Sequence, residues 1–175
     1  MRTLKLTSDT KKNLLEDLLK RSPNNYTQYE ASVNAIIEKV RAEKDAAVFA
    51  YTKQFDGADI NASNVRVTEE EIKEAYTLVD EKLLNVMRKS LENIRVYHEK
   101  QKQYSWFDSR PDGVMLGQKV TALASAGVYV PGGKAAYPSS VLMNVVPAKV
   151  AGVEKIVMTT PCNKEGKVNP ATLVA

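Results

Sequence analysis

The residues best suited to chemistry lie in one stretch, residues 127–134, which reads Gly-Val-Tyr-Val-Pro-Gly-Gly-Lys. Its valines and tyrosine favour a strand, and the Pro-Gly-Gly that follows predicts a sharp turn. A helix capped by Ser139 or Ser140 is predicted next, and then a second strand at residues 155–160. This order forms a βαβ unit with a parallel pair, whose ligands bind at the carboxyl ends of the strands. Tyr129 and the turn are therefore expected at a binding mouth.

Neither of two well-known glycine motifs for nucleotides fits this turn. A dinucleotide loop reads G-x-G-x-x-G, which is not found here. A P-loop requires glycine where Val128 stands and serine or threonine where Ala135 stands. The spacing of the glycines alone does not decide whether this turn only connects a strand to a helix or also binds a ligand. Lys134 is interpreted as a solvated lysine, with phosphate contact as the alternative.

The amino-acid sequence of this region resembles that of a known protein family. The run Gly-Val-Tyr-Val-Pro-Gly-Gly-Lys-Ala-Ala-Tyr-Pro-Ser-Ser-Val-Leu-Met-Asn is followed by Val-Pro-Ala-Lys-Val-Ala-Gly-Val, with Asp-Gly at residues 56–57 and Thr-Pro at residues 160–161 as flanks. Together these closely resemble the signature region of the histidinol dehydrogenase family. Ala122 departs from the pattern, because the family often has proline there.

The resemblance implies a cofactor site and a reaction. It implies that Tyr129 contacts NAD and that Pro131, Gly132 and Gly133 let the cofactor approach the backbone. Family members oxidise L-histidinol to L-histidine in two NAD-dependent steps, with zinc holding the substrate and a histidine and a glutamate as acid–base groups. The resemblance also implies an intertwined homodimer, so a second subunit is the expected partner of the full-length protein.

The chain has a single histidine, His98, and a single cysteine, Cys162. A zinc site of the family's type needs several ligands that these residues cannot supply, so no catalytic and no metal residue is assigned here. His98 lies beside Tyr97 in a predicted long helix and is interpreted as a surface or packing residue. Cys162 has no neighbouring histidine in the sequence to lower its pKa and is interpreted as inert.

Helical patterns dominate residues 1–110. Leucines after Ser8 or Thr10 predict an apolar helix face, and residues 27–55 predict one or two helices. Thr68 opens a capping box, and Asp80 caps the longest helix. The inner face of that helix is expected to consist of Leu83, Leu84, Met87, Leu91, Ile94 and Tyr97.

Fewer signals mark the strands that precede the binding turn. A short strand is considered at residues 65–67, and the polar residues 104–113 predict a loop. Residues 114–116 and 120–123 are expected to form a β-hairpin or two edge strands.

These patterns predict an α/β protein. A helical N-terminal segment, residues 1–110, forms part of a larger domain, and an incomplete Rossmann-like parallel α/β unit covers residues 111–175. Asn169 caps a final helix of only about one turn, and two parallel strands are fewer than such sheets need. The sequence therefore predicts the front part of a longer protein, inactive as an isolated chain.

Composition limits the remaining function classes. The 175 residues are 43% hydrophobic and 26% charged, as in ordinary globular proteins. No apolar run approaches the roughly 20 residues that span a bilayer, and the cytoplasm is the expected compartment. The net charge is +4 without a basic stripe, which argues against nucleic acid. The alternative to the enzyme is a non-catalytic helical interaction module with a remnant nucleotide-binding βαβ unit.

Overall fold

A computed structural model describes Lys5 and residues 7–11, 26–132 and 135–175. The chain divides by its internal contacts into two compact units, Met1–Val48 and Phe49–Ala175. Residues 8–11 are helical, but the leucines of the helix predicted there lie outside the described residues. No helix in the described ranges is long and apolar enough to cross a membrane.

Two helices account for residues 27–55, as predicted. Helix α1 is Thr27–Glu43 and helix α2 is Asp45–Phe55, so the boundary between the two units falls inside α2. Lys44 lies between helices α1 and α2 and has a φ of 52°, in the left-handed region that non-glycine residues rarely adopt. Its N–H donates to the Val40 carbonyl oxygen at 2.8 Å, and its own carbonyl oxygen accepts from Ala47 at 3.1 Å.

After the end of α2, the second unit contains two helices whose predicted caps are confirmed. Helix α3 is Glu69–Leu78 and helix α4 is Glu81–Glu99. The Glu71 N–H donates to Thr68 Oγ1 at 3.2 Å, while the Thr68 N–H donates to Glu71 Oε2 at 2.9 Å. Asp80 Oδ1 accepts the Leu83 N–H at 2.9 Å. These caps form because each one joins groups only three residues apart.

The prediction of a short strand at residues 65–67 is wrong. The segment before α3 is a turn, in which the Asn61 carbonyl oxygen accepts the N–H groups of Asn64 and Val65 at 3.2 and 2.9 Å. Asn61 Oδ1 also accepts the Ser63 N–H at 2.9 Å. The Asn61 side chain bonds to the nearby Ser63 backbone and so favours a turn, while the Asn61 carbonyl oxygen engages the Val65 amide that a strand would need.

An antiparallel hairpin forms where a loop was predicted. Strand β1, Trp106–Ser109, pairs with strand β2, Met115–Gln118, and Phe107 faces Gly117 across the pair. The loop predicted at residues 104–113 is therefore wrong for residues 106–109. The strand expected at residues 114–116 is confirmed in β2, but residues 120–123 form no strand.

The residues of the turn explain why the hairpin lies earlier in the chain than predicted. Arg110 and Gly113 belong to the connection between the strands, with the Arg110 N–H donating to the Val114 carbonyl oxygen at 2.8 Å. Gly113 takes a φ of 84°, a conformation that glycine adopts without penalty. The Pro-Asp-Gly at residues 111–113 is thus the hairpin turn itself rather than part of a longer loop.

The predicted βαβ unit is confirmed. Strand β3, Ser125–Tyr129, is followed by helix α5, Pro138–Val150, and strand β4, Lys155–Thr159, with a short last helix α6 at Pro170–Val174. Strands β3 and β4 are parallel neighbours, in register from Ser125 opposite Lys155 to Tyr129 opposite Thr159. The fold class is α/β, as predicted, while the domain boundary near residue 110 stays a prediction.

The core lies between α4 and α5. Met87, Leu142 and Val146 are buried against one another. The partly buried residues around them are Val79, Leu83, Leu84, Ile94, Val150, Val174 and Ala175. The predicted inner face of α4 is confirmed for Leu83, Leu84, Met87 and Ile94. It is wrong for Leu91 and Tyr97, which are exposed, because helical periodicity identifies an apolar stripe but not which of its members a partner covers.

Candidate functional site

The carboxyl ends of β3 and β4 meet at one edge of the parallel pair. Tyr129 and Thr159 are opposite each other at the last paired position. The Val130 N–H donates to the Thr159 carbonyl oxygen at 2.9 Å and so extends the pairing by one bond. Val130 is fully buried, which anchors the chain before it turns at Pro131. The predicted binding mouth therefore lies at the end of a fixed strand.

Tyr129 presents most of its side chain to solvent. It is 65% exposed, whereas its neighbours Val128 and Val130 are half-buried and buried. Alternation along β3 sends Ser125, Gly127 and Tyr129 to the uncovered face of the strand. An exposed aromatic ring at the carboxyl end of a parallel strand is available to stack on a flat ligand.

Gly132 packs beside the residues that follow β4. A Cβ at position 132 would lie 3.4 Å from Pro161 Cδ, 3.5 Å from Thr160 Oγ1 and 3.6 Å from the Pro161 carbonyl oxygen. These are ordinary van der Waals distances, and the φ of Gly132 is outside the left-handed region. The fold therefore does not require glycine at this position, and the absent methyl group leaves space at the mouth of the site.

The structure brings Tyr129, Pro131 and Gly132 together at this edge. Gly133 and Lys134, the other two residues singled out in the turn, lie outside the described residues. The cofactor-binding role of Tyr129, Pro131, Gly132 and Gly133 stays a prediction.

Thr160 also lies at this edge, although the sequence did not single it out as a site residue. The signal that could have found it is its place just after β4, because the ends of neighbouring parallel strands lie side by side.

Helix α5 starts differently from the prediction. Its N-cap is Tyr137, without a side-chain hydrogen bond, and Pro138 is its first residue. Ser139 and Ser140 lie inside the first turn, where the Ser140 N–H donates to the Tyr137 carbonyl oxygen at 3.0 Å. The prediction of a serine cap is wrong, because proline is well suited to the first helical position and begins the helix earlier.

The surroundings of Cys162 and His98 fit structural roles. Burial, together with the negative charge of Asp56, raises the pKa of the Cys162 thiol, so it is less reactive than a free cysteine. The His98 ring packs edge-on against Tyr97, with ring centroids 5.3 Å apart. Both findings support the interpretation of these side chains as structural.

In the described ranges, no group of three or more His, Cys, Asp or Glu residues could hold a metal ion. A shallow depression of about 480 Å³ lies on α4, lined by Glu81, Lys82, Asn85, Val86 and Lys89. It is lined by residues of one helix alone and includes none of the predicted site residues.

Comparison with known proteins identifies the family. The model of the family described as histidinol dehydrogenase matches residues 19–175, which is most of the chain. The chain belongs to the histidinol dehydrogenase family. The resemblance inferred from the signature region is thus confirmed.

Relatives in this family are substantially longer than the chain. The histidinol dehydrogenase of Bacillus subtilis is 59% identical over 158 residues, covering 90% of this chain and 36% of the relative. That of Heliobacterium mobile is 55% identical over 143 residues, covering 82% and 34%. The crystal structure of histidinol dehydrogenase from Elizabethkingia anophelis matches with a TM-score of 0.76 and 34% identity, covering 83% of this chain and 33% of that chain. The chain thus spans about a third of the length of these histidinol dehydrogenases.

Proposed function

We propose that this chain forms the cofactor side of a histidinol dehydrogenase, an oxidoreductase of histidine biosynthesis that converts L-histidinol to L-histidine with NAD. Membership of the family supports the reaction. The observation that carries the cofactor site is Gly132, whose missing Cβ leaves space beside Thr160 and Pro161 although the backbone would accept alanine. A glycine that the fold does not need is explained by a ligand that approaches the backbone closely.

The residues at the edge of the sheet fit such a cofactor. Tyr129 would place its exposed ring against a flat part of NAD. Pro131 restricts the backbone just after the buried Val130, and Gly132 and Gly133 would admit the cofactor to the turn. Bound NAD would supply a hydride acceptor for the alcohol and then for the aldehyde. The part of this chain is to hold and orient the cofactor at the strand ends.

The described residues do not fit zinc, because no cluster of possible ligands occurs in the ranges given above. We therefore attribute the zinc and acid–base groups to the parts of longer family members that this chain does not match. The 175-residue chain alone is then inactive, and histidinol-dependent formation of NADH by the pure chain would overturn this part of the proposal. A homodimer in the cytoplasm is the proposed context of the full-length enzyme, in keeping with the family.

Titration with NAD tests the cofactor site in the chain as it is. Binding is followed by calorimetry and by NMR for the parent, Tyr129→Ala and Tyr76→Ala, the last being a half-exposed tyrosine on α3 that serves as the matched control. We expect Tyr129→Ala to weaken binding about tenfold, because an aromatic contact and its buried area are lost. Tyr76→Ala should bind like the parent. Absence of binding by the parent, or equal binding by Tyr129→Ala, would contradict the assignment.

One observation favours the alternative, an interaction module without catalysis. All eight residues of β1 and β2 are exposed, among them Trp106, Phe107, Met115 and Leu116. An isolated two-stranded hairpin is marginal in water and gains stability from a covering partner. The same titration separates the two functions, because a pure interaction module predicts that NAD does not bind or that Tyr129→Ala has no effect.

A further inference from the structure

Thr160 follows directly after β4, at the edge where the proposed cofactor turn lies. Along β4 the half-buried positions are Ile156 and Met158, and Thr160 continues this alternation. The preceding residue, Thr159, is exposed and pairs with Tyr129. Two adjacent threonines therefore have different surroundings, and Thr160 is the one that lies against the turn.

The Thr160 side chain is oriented with its hydroxyl beside Gly132. Thr160 Oγ1 lies 3.5 Å from the position that a Cβ of residue 132 would occupy. Because residue 132 is glycine, no side-chain atom of that residue stands between the hydroxyl and the turn. A methyl group there would contact the oxygen and restrict access to it.

The Thr160 hydroxyl has free hydrogen-bonding capacity. In the part of the chain that the structure describes, it neither donates nor accepts a hydrogen bond, although Thr160 is half-buried. A threonine hydroxyl can donate one hydrogen bond and accept two. Because no unpartnered side-chain oxygen among the described residues is buried, the Thr160 hydroxyl is open to solvent, and a polar ligand at this edge could form a hydrogen bond with it.

We propose that Thr160 is a cofactor-binding residue, whose hydroxyl bonds to the sugar–phosphate part of NAD at the Gly132 turn. This inference rests on the proposed function, because it needs the cofactor to bind at that turn. Tyr129 supplies an aromatic surface at the end of β3, and Thr160 supplies a polar group at the end of β4. The two strand ends then hold chemically different parts of one dinucleotide.

The test is a titration of the 175-residue chain with NAD and with ADP-ribose, which has the same sugar–phosphate part but lacks the nicotinamide. Thr160→Val removes the hydroxyl and keeps the shape, while Thr160→Ser keeps the hydroxyl. Thr159→Val is the matched control on the exposed neighbour. We expect Thr160→Val to raise the Kd of both ligands about three- to tenfold, as for loss of one hydrogen bond. Thr160→Ser and Thr159→Val should stay within about twofold of the parent. Amide NMR spectra establish that each variant is folded.

The outcomes separate this inference from the proposed function. If Tyr129→Ala weakens NAD binding and Thr160→Val does not, the role of Thr160 is wrong and the cofactor site stands. If Thr160→Val weakens NAD but leaves ADP-ribose unchanged, the hydroxyl contacts the nicotinamide side and the inference is also wrong. If the parent chain binds neither ligand, the proposed cofactor site fails and the inference fails with it.

Discussion

Lys167 Nζ donates to Glu71 Oε1 at 2.9 Å and so joins residues 96 positions apart in the sequence. The other oxygen of the same carboxylate accepts the Thr68 N–H in the capping box. The hydrogen bonds from Thr68 and then from Lys167 hold the pKa of Glu71 below its usual 4.5. Glu71 in turn raises the pKa of Lys167 above 10.5. One side chain therefore closes the start of α3 and ties it to the segment that follows β4.

The directions of these pKa shifts predict how stability depends on pH. The pKa of Glu71 is lowered by folding, so its stabilisation is present above pH 4.5 and is lost as the pH falls through its lower folded value. The pKa of Lys167 is raised, so its stabilisation is present below pH 10.5 and is lost as the pH rises through its higher folded value. In urea unfolding, Glu71→Gln should lower the free energy of unfolding at pH 7 and flatten its decline at acid pH.

Glu70→Gln is the matched control, because it removes a neighbouring charge from the first turn of α3 but leaves the capping box in place. It should retain the acid decline of the parent. An equally steep decline in Glu71→Gln and in the parent would contradict the assignment of this pH dependence to Glu71.

Gly117 permits the pairing of the exposed hairpin. A Cβ at this position would clash with Phe107 Cδ1 and with the Trp106 carbonyl oxygen, so alanine forces the backbone of β1 to shift. We expect Gly117→Ala to destabilise the hairpin by about 1–3 kcal/mol, as overpacking does. The chain has one tryptophan, Trp106, so its fluorescence reports on this hairpin directly.

Gly127→Ala provides the control, since a Cβ at this strand glycine meets nothing within 4 Å. Its Trp106 emission should match that of the parent. Unchanged emission and unchanged amide exchange of β2 in Gly117→Ala would show that the hairpin does not depend on close approach at this position.

Met87 anchors the contact between α4 and α5. It is 8% exposed and packs with Leu142 and Val146, so Met87→Ala should leave a cavity and reduce the free energy of unfolding by about 2–4 kcal/mol. Val86, its neighbour on the same helix, is 57% exposed. Val86→Ala should change stability by no more than about 0.5 kcal/mol in the same urea titration. Equal effects of the two substitutions would mean that the core does not lie on this face of α4.

Gly132→Ala separates a structural from a binding role of the turn. Its Cβ would have only ordinary contacts, so the free energy of unfolding should stay within about 0.5–1 kcal/mol of the parent or rise slightly. The Kd for NAD should nevertheless rise about tenfold, because the methyl group occupies the space proposed for the cofactor. Gly127→Ala, on the preceding strand β3, should leave the Kd unchanged. A destabilised Gly132→Ala variant that still binds NAD like the parent would reverse the interpretation.

Three helix caps, each confined to a few neighbouring residues, were predicted correctly from the sequence. The Thr68 capping box, the Asp80 cap and the Asn169 cap each join groups two or three residues apart, so their formation depends little on the rest of the chain. The βαβ order was predictable for a similar reason, because a strand, a sharp turn and a helix must return the chain beside its start.

Two features that depend on distant partners were missed. The hairpin pairs Trp106–Ser109 with Met115–Gln118, but a stretch that contains Pro111 and Gly113 looks like a loop until the pairing strand is known. The proximity of Gly132 to Thr160 likewise arises from the parallel register of β3 and β4, which no local pattern specifies. The β3 side of the candidate site was therefore singled out from the sequence, whereas Thr160 on its β4 side was not.

Gly132 and Gly57 differ in the substitutions that each position can tolerate during evolution. Gly57 holds a φ of 74°, a backbone conformation that every descendant with this turn must accommodate, with or without a cofactor. Gly132 carries no such backbone requirement, so under the proposed function a bound ligand would be the reason to retain it. In a lineage that has lost cofactor binding, position 132 is free to drift to alanine while position 57 is not. Under the proposed function, the residue at position 132 of a related gene would then indicate whether cofactor binding has been retained.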